Sequence, residues 1–375
     1  MTGTLLLAVM MTAVFFSGCL DQAEGEEDTR TVVDMLGRNV DIPLEVDRVV
    51  GLGVGALRFI TYLDGSDKVV GVETSLKEGP ETNVQAKTYL LAHPEYDDLP
   101  SIGPNHGGEP DKIKAASPQV IFKTTYAEGD CDELQKELGI PVVGLVGYCS
   151  WAAAPDLGDN IDQLFAQIRL IGEVLGTEER GERLIENVEE IIDDLHDRTM
   201  NIPEEEKRTA YVGGMPIEGE DVIIETFSKH PMLDHIGAKN VVTEELIGGA
   251  EGEITKEEIA LLDPDIMFLY PAGFGSCTVD LNEVFDLENE TWANVTAIIN
   301  DAVYTVLDHY KYGYNFDTML ANCYWGGKII FPDAFTDIDP AQKADDIFTL
   351  WVGSPVYDQL GTNRGEEGFS RVAIS

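Results

Sequence analysis

The residue types that carry chemistry are sparse in this chain and gather in turns. "GLGVGA" sets Gly51, Gly53 and Ala56 in a GxGxxA spacing, and Glu73 follows at the end of the next apolar run. In such a spacing the glycines let a backbone approach a pyrophosphate, and the acid bonds a ribose hydroxyl. That chemistry would make the protein a nucleotide-linked oxidoreductase; the competing reading is an ordinary glycine-rich strand-to-helix turn. Nothing else points to catalysis, since the chain has no GxSxG elbow, no HExxH pair and no P-loop lysine motif. The histidines His93, His106, His196, His230, His235 and His309 are scattered, and no Cys/His spacing suits a structural zinc. No catalytic residue, metal site or cofactor is expected. His106 in "PNHGGEP", beside Asn105, lies just before a helix; it faces either a ligand or solvent, and His230 in "SKHPML" has the same standing.

Aromatic residues cluster more tellingly. "YCSW", Tyr148 to Trp151, follows an apolar run, and Tyr126 has the corresponding place after "VIFKTT". Further on, Phe274 follows "IMFLYPAG", and "HYKYGYNFD" carries Tyr310, Tyr312 and Tyr314. Alternate tyrosines also fit a half-buried strand. Aromatic groups from two halves facing one cleft would suit a large flat or chelated ligand, because open parallel sheets bind ligands at strand carboxyl ends.

The elements that must position these groups follow from periodicity. "VVDMLGRNVDIP" alternates apolar residues around Gly37-Arg38-Asn39 and stops at Pro43, which predicts a β-hairpin. "RVVGLG" reads as a buried strand running into glycine, "ALRFITYLDG" as a helix closed at Gly65, and "KVVGV" as a second strand. "EPDKIKAASPQVIF" predicts a helix, a proline and a buried strand, and "CDELQKELGI" with "PVVGLV" another helix–strand pair. Strands alternating with helices imply a parallel sheet covered on both faces. From Asp156 the pattern turns helical, with Leu164, Ile168, Ile171, Val174 and Leu175 on one stripe. Gly172, Gly176 and Gly181 weaken its middle, so a bend or break is expected near Gly176.

A second α/β series then begins with "TAYVGG", "DVIIET" and "PMLDHIGAKNVV", and it repeats the first. In "ITKEEIALLDPDIMF", Pro264 answers Pro118, Glu257 answers Asp111, Ile259 answers Ile113 and Phe268 answers Phe122. The expected architecture is α/β: two Rossmann-like lobes with parallel sheets, joined by a long rigid helix. Its boundaries are a signal over 1–19, an acidic tether over 20–30, a first lobe over 31–155, an interlobe helix over 156–200 and a second lobe over 207–375.

Composition narrows the partners. The 375 residues suffice for two cored domains, and a 43% hydrophobic fraction is that of a globular protein. With 25 Lys+Arg against 69 Asp+Glu, the net charge of −44 argues against a nucleic-acid partner, which would need a basic face. It resembles the surface of halophilic archaeal proteins, or else of a simply acidic extracellular protein. The apolar run Leu5 to Phe16 is short for a membrane span and suits a secretory signal, although the Lys or Arg that normally precedes such a run is missing. Ser17-Gly18-Cys19 is similar to a lipobox, which would make Cys19 a lipidation site; a buried N-terminal helix is the alternative. The remaining Cys131, Cys149, Cys277 and Cys323 allow three pairings, of which Cys131–Cys149 with Cys277–Cys323 stays within halves. Asn289-Glu-Thr and Asn294-Val-Thr are sequons.

The lipobox, the two α/β series and the duplicated helix–proline–strand together resemble the class III substrate-binding proteins of ABC importers, over most of the chain from Thr31. "MLDHIGAKNVV" and "WANVTAIINDAVYTV" are similar to further elements of that family. The resemblance implies a lipid-anchored, extracytoplasmic monomer that performs no bond chemistry. Its partners would be a permease with its ATPase, and its ligand an iron chelate (siderophore) or corrinoid whose iron or cobalt belongs to the ligand. It also implies that Asp111 and Glu257 dock onto arginines of the permease; first-turn acids favoured by the helix dipole are the plainer account. Ligand-contacting residues vary within such families, so the resemblance assigns none; the loops expected to face the ligand hold Gly53, Val54, Gly55 and Ala56; Asn105 and His106; Tyr126; Tyr148 and Trp151; Met215; Phe274; and Tyr310, Tyr312 and Tyr314. Few basic residues lie on them, which favours a neutral hydroxamate chelate or a corrinoid. A surface sensory or adhesive protein on the same fold is a further alternative.

Overall fold

The computed structural model describes residues 28–77, 87–125, 128–146, 161–214, 223–270, 290–309, 313–362 and 368–372. Cys19, Cys149, Cys277 and Asn289 lie outside them.

The predicted hairpin forms from β1 (Thr29–Val33) and β2 (Asn39–Pro43), paired antiparallel. Its turn is held by Asp34, whose carboxylate accepts from the backbone N–H of Leu36 and Arg38 and from the Arg38 guanidinium. The same carboxylate takes the N–H of Gly144, so one buried acid both closes the turn and pins the hairpin to the first sheet.

That sheet comprises β3 (Val49–Leu52), β4 (Val120–Thr125) and β5 (Val142–Val146), all parallel, in the order β3-β4-β5. Its strands are buried nearly throughout, as expected of a sheet covered on both faces. α1 (Ala56–Tyr62), α2 (Thr88–Ala92), α3 (Pro110–Ala116) and α4 (Glu128–Leu138) complete this half. "KVVGV" does not extend into a strand: it makes only single bridges, Val49 to Val69 and Val72 to Ser101. Gly71 interrupts it, and a Cβ there would fall 2.5 Å from Ile102 Cγ2.

The helical stretch is two helices, α5 (Ile161–Leu175) and α6 (Glu178–Thr199). They separate at Gly176, whose φ of +72° is the left-handed conformation that ends a helix. α5 packs on α1 and β1, whereas α6 also reaches the second half. Arg180 of α6, buried, donates to the carbonyl of Tyr62 at 2.9 Å and to those of Leu350 and Trp351, tying three helices together.

The second half holds a parallel sheet of β6 (Thr209–Gly213), β8 (Lys239–Asn240), β10 (Ile266–Leu269) and β11 (Val303–Thr305), in the order β11-β10-β6-β8. A small antiparallel pair, β7 (Glu225–Phe227) and β9 (Glu251–Glu253), lies beside it. Around these run α7 (Pro231–His235), α8 (Glu244–Ile247), α9 (Lys256–Leu262), α10 (Glu290–Ala293) and α11 (Thr296–Ile299). Last come α12 (Phe316–Ile330), α13 (Pro340–Val352) and α14 (Tyr357–Thr362); α13 and α14 return to pack on helices of the first half.

The duplication extends to backbone detail. α3 and α9 have seven residues each and end in a non-glycine residue at positive φ, Ser117 (52°) and Asp263 (45°). In each case a proline follows and the next strand starts two residues later, at Val120 and Ile266. A residue before proline is steered away from the right-handed helix, so the helix stops at the same place twice.

Candidate functional site

The turn after β3 is built by its glycines. Gly53 and Gly55 have φ of +85° and +82°, where an L side chain is strained. Added Cβ atoms would also fall 3.1 Å from the Thr124 carbonyl oxygen and 2.6 Å from Arg58 Nη2. Val54 is half-buried, and Ala56 opens α1. The dinucleotide reading fails on Glu73: this carboxylate is fully buried and accepts the N–H of Gly53 at 3.1 Å, so the acid assigned to a ribose is spent on the turn.

Every residue of α1 is buried, including Arg58. Its guanidinium crosses to the second half and donates to Asn315 Oδ1 at 3.0 Å. Asn315 in turn gives its backbone N–H to the carbonyl of His309 at 2.8 Å. Two residues along, Asp317 accepts from the Tyr62 hydroxyl at 2.7 Å and from Thr88 Oγ1 at 2.5 Å. Burial raises the pKa of Asp317 above the usual carboxylate range, against the opposing pull of those two bonds and of Arg58. The start of α12 is thereby bonded to α1 and α2 across the junction between the halves.

On the second-half side, groups sit just past the strand carboxyl ends. Tyr270 directly follows β10, His309 follows β11, and His230 lies between β7 and α7. All three are buried. The Tyr270 hydroxyl is 3.1 Å from His230 Nε2 and 2.6 and 2.9 Å from Nδ1 and Nε2 of His309. Asn322 donates to His309 Nδ1 at 3.1 Å while pairing both backbone groups of Leu307 at 2.9 Å. Burial pushes the His230 pKa down to about 3 and that of His309 well below its ordinary value, so both imidazoles are neutral. An aromatic file links the halves: Phe59 meets Phe316, Phe316 meets Tyr314 and Tyr314 meets His309, at centroid separations of 5.9, 5.0 and 5.1 Å.

Among the expected ligand-facing residues, the structure thus brings Gly53, Gly55, Ala56 and Tyr314 to this junction. Tyr314 is fully buried and lies outside any strand. Asn105 and His106 instead sit on an exposed loop, where His106 has φ of +70° and its carbonyl accepts from Lys123 Nζ at 3.2 Å. Tyr126, Tyr148, Trp151, Met215, Phe274, Tyr310 and Tyr312 lie outside the described residues. Arg58, Tyr270, His309 and Asn315 were missed by sequence reasoning. The available signals were an arginine inside the otherwise apolar run "ALRFITY" and a tyrosine closing "IMFLY".

Cys131 and Cys323 are buried free thiols, so neither takes part in the pairing that an even cysteine count allowed. Among the described residues no group of three or more His, Cys, Asp or Glu side chains is arranged to hold a metal ion, and no helix is long and apolar enough to cross a membrane. Asp111 and Glu257 are both exposed, each in the first turn of its copy of the duplicated helix.

The signature of the periplasmic binding protein family matches residues 55–310. The molybdate-binding protein MolA of Haemophilus influenzae is 25% identical over 362 residues, covering 92% of this chain and 95% of the relative. Its molybdate-bound structure superposes with a TM-score of 0.64 at 21% identity, over 87% of this chain and 98% of that one. An ABC transporter substrate-binding lipoprotein of Bacillus subtilis, YvrC, is 22% identical over 317 residues, 80% of this chain and 88% of its own length. A periplasmic solute binding protein of Veillonella parvula matches with a TM-score of 0.69 at 19% identity, over 91% and 99% of the two chains.

Proposed function

As the chain belongs to the periplasmic binding protein family, the substrate-binding components of ABC transporters, we propose that it captures a compact oxyanion of the molybdate class between its lobes and delivers it to a permease. The observation that carries this reading is Arg58, a fully buried guanidinium at the glycine turn, bonded across the junction to Asn315. A guanidinium in a low-dielectric cleft attracts an anion far more strongly than one in water. The net charge of −44 does not forbid this, because exposed charges are screened beyond about 8 Å at physiological salt. MolA, alike over nearly its whole length, is named for binding molybdate. An iron chelate or corrinoid is the second reading, favoured by the aromatic file from Phe59 to His309.

Delivery rests on Asp111 and Glu257, one exposed acid per lobe, each pairing with a basic residue of the permease. Cys19 would carry the lipid that keeps the protein at the outer face of the membrane.

Calorimetric titration with molybdate, tungstate, sulfate, a ferric hydroxamate and cobalamin tests the ligand class. Molybdate and tungstate are expected to bind, and Arg58→Gln to weaken them by about tenfold or more, the loss of a charge-assisted bond. Heat from the chelate or corrinoid alone would replace the oxyanion reading with the second one.

A further inference from the structure

Four buried side chains of the second half form one hydrogen-bonded file that starts from Asn322. That amide is fixed by Leu307, whose N–H gives to Oδ1 and whose carbonyl accepts from Nδ2, both at 2.9 Å. Its other amide hydrogen therefore goes to His309 Nδ1, 3.1 Å away. A ring nitrogen has one in-plane lone pair, so a Nδ1 that accepts from Asn322 is the bare nitrogen of a neutral ring. The proton of His309 is then on Nε2, 2.9 Å from the Tyr270 oxygen, to which it donates. The 2.6 Å approach of the same oxygen to Nδ1 meets a lone pair already taken. With its oxygen accepting from His309, Tyr270 turns its own proton to His230 Nε2 at 3.1 Å. His230 must then carry its proton on Nδ1.

That nitrogen is buried and has no hydrogen-bond partner among the described residues. A buried N–H left unmade costs about 1–3 kcal/mol, an expense proteins keep mainly where something else will accept the bond. Burial also holds the ring neutral, so protonation of both nitrogens does not occur near neutral pH.

We infer that His230 presents an Nδ1–H to the bound ligand and donates it to a ligand oxygen, its tautomer set by the file Asn322–His309–Tyr270. The inference rests on the oxyanion reading above and deepens it: a protonated ring nitrogen has no lone pair for a metal, so His230 recognises oxygen and is not a metal ligand. An oxyanion with oxygens bare of protons is the chemistry this donor fits.

The test is NMR of the full chain carrying 15N-labelled histidine, run beside calorimetry with molybdate. The file requires the Nδ1–H tautomer at His230 in the free protein and a downfield move of that proton when molybdate saturates the site. Tyr270→Phe removes the link, so the tautomer preference should be lost and molybdate affinity should fall by about tenfold, the worth of one hydrogen bond. An Nε2–H tautomer in the free protein overturns the inference whether or not molybdate binds. So does an Nδ1–H proton that stays put while calorimetry records saturation, an outcome that leaves the oxyanion reading standing. Absence of calorimetric heat with every oxyanion overturns that reading, and this inference with it.

Discussion

α3 and α9 follow the same backbone path yet are closed by different chemistry. α9 begins with a complete capping box: Thr255 accepts the N–H of Glu258, and Glu258 accepts from the N–H and hydroxyl of Thr255. α3 begins with Pro110, which has no N–H to satisfy, and its N-cap Glu109 makes no side-chain cap bond. At the far ends, Arg48 takes the carbonyls of Ala116 and Ser117, whereas Asp263 turns its carboxylate to the N–H and hydroxyl of Thr296. What the two copies share is the length, the left-handed stop before proline and an exposed acid at the same point of the first turn. The caps differ while the placement of the acids does not, as expected if position is the functional quantity.

The most severe way to break that equivalence is to reverse both acids. Asp111→Lys with Glu257→Lys should abolish uptake in cells while leaving calorimetric affinity for the ligand within about twofold, since exposed charges are screened by salt and worth little. Undiminished uptake would leave both residues as plain first-turn acids. If one single reversal alone eliminates transport, the lobes dock unequally, and the copies are duplicates in backbone only.

The halves differ again in how they bury polar groups. The first buries the Asp34–Arg38 salt bridge at 2.6 Å and Arg58. The second buries acids such as Asp317 and adds a neutral file of His230, Tyr270, His309 and Asn322. Acid separates the two designs. His230 has a folded pKa of about 3 against 6.5 for the free side chain, so below 6.5 the unfolded chain binds the proton that the folded chain refuses. Its contribution is therefore intact above pH 6.5 and lost as pH falls towards 3, amounting to roughly 3 kcal/mol by pH 4. Glu251 works in the opposite sense, because its folded pKa of about 7 makes acid favourable to the fold. Denaturant unfolding of wild type and His230→Gln at pH 7 and pH 4 isolates the histidine: the variant should lose less stability on acidification. Equal losses would mean that this imidazole is not held neutral.

The architecture was legible because it rests on patterns that local chemistry dictates. Buried parallel strands read as continuous apolar runs, the hairpin alternates, and Gly176 breaks the helical stretch where its left-handed φ is needed. The duplicated helix was legible for the same reason, its proline fixing where each copy ends. The candidate site was not, because its residues are hidden inside those patterns. Arg58 sits in a helix buried on every side, so periodicity files it as an interruption, and only the fold reveals that it reaches Asn315 from the other half. Tyr270 and His309 are far apart in the chain and meet only because β10 and β11 are neighbours. Glu73 shows the converse: a motif suggested a ribose, and the turn itself uses the carboxylate. His106, also singled out by its loop, sits on an exposed segment, where its carbonyl accepts from Lys123.

The smallest effect returns to the two helix starts. Thr255→Ala removes the side-chain oxygen that accepts the N–H of Glu258 and leaves the carboxylate of Glu258 one partner fewer. Loss of such an N-cap costs about 1 kcal/mol. The matched change in the other copy, Glu109→Ala, removes no cap bond and only an exposed pair with Lys112, worth less than about 0.5 kcal/mol. Chemical denaturation of the two variants should therefore separate them, with the midpoint falling clearly for Thr255→Ala and barely for Glu109→Ala. Uptake should survive both, because neither substitution moves the acid that follows. Equal losses of stability would mean that Glu109 does for α3 what Thr255 does for α9, and that the copies are closer than their hydrogen bonds indicate. Loss of uptake on Thr255→Ala at full ligand affinity would say instead that the cap holds Glu257 in place for docking, making the difference between the copies a functional one.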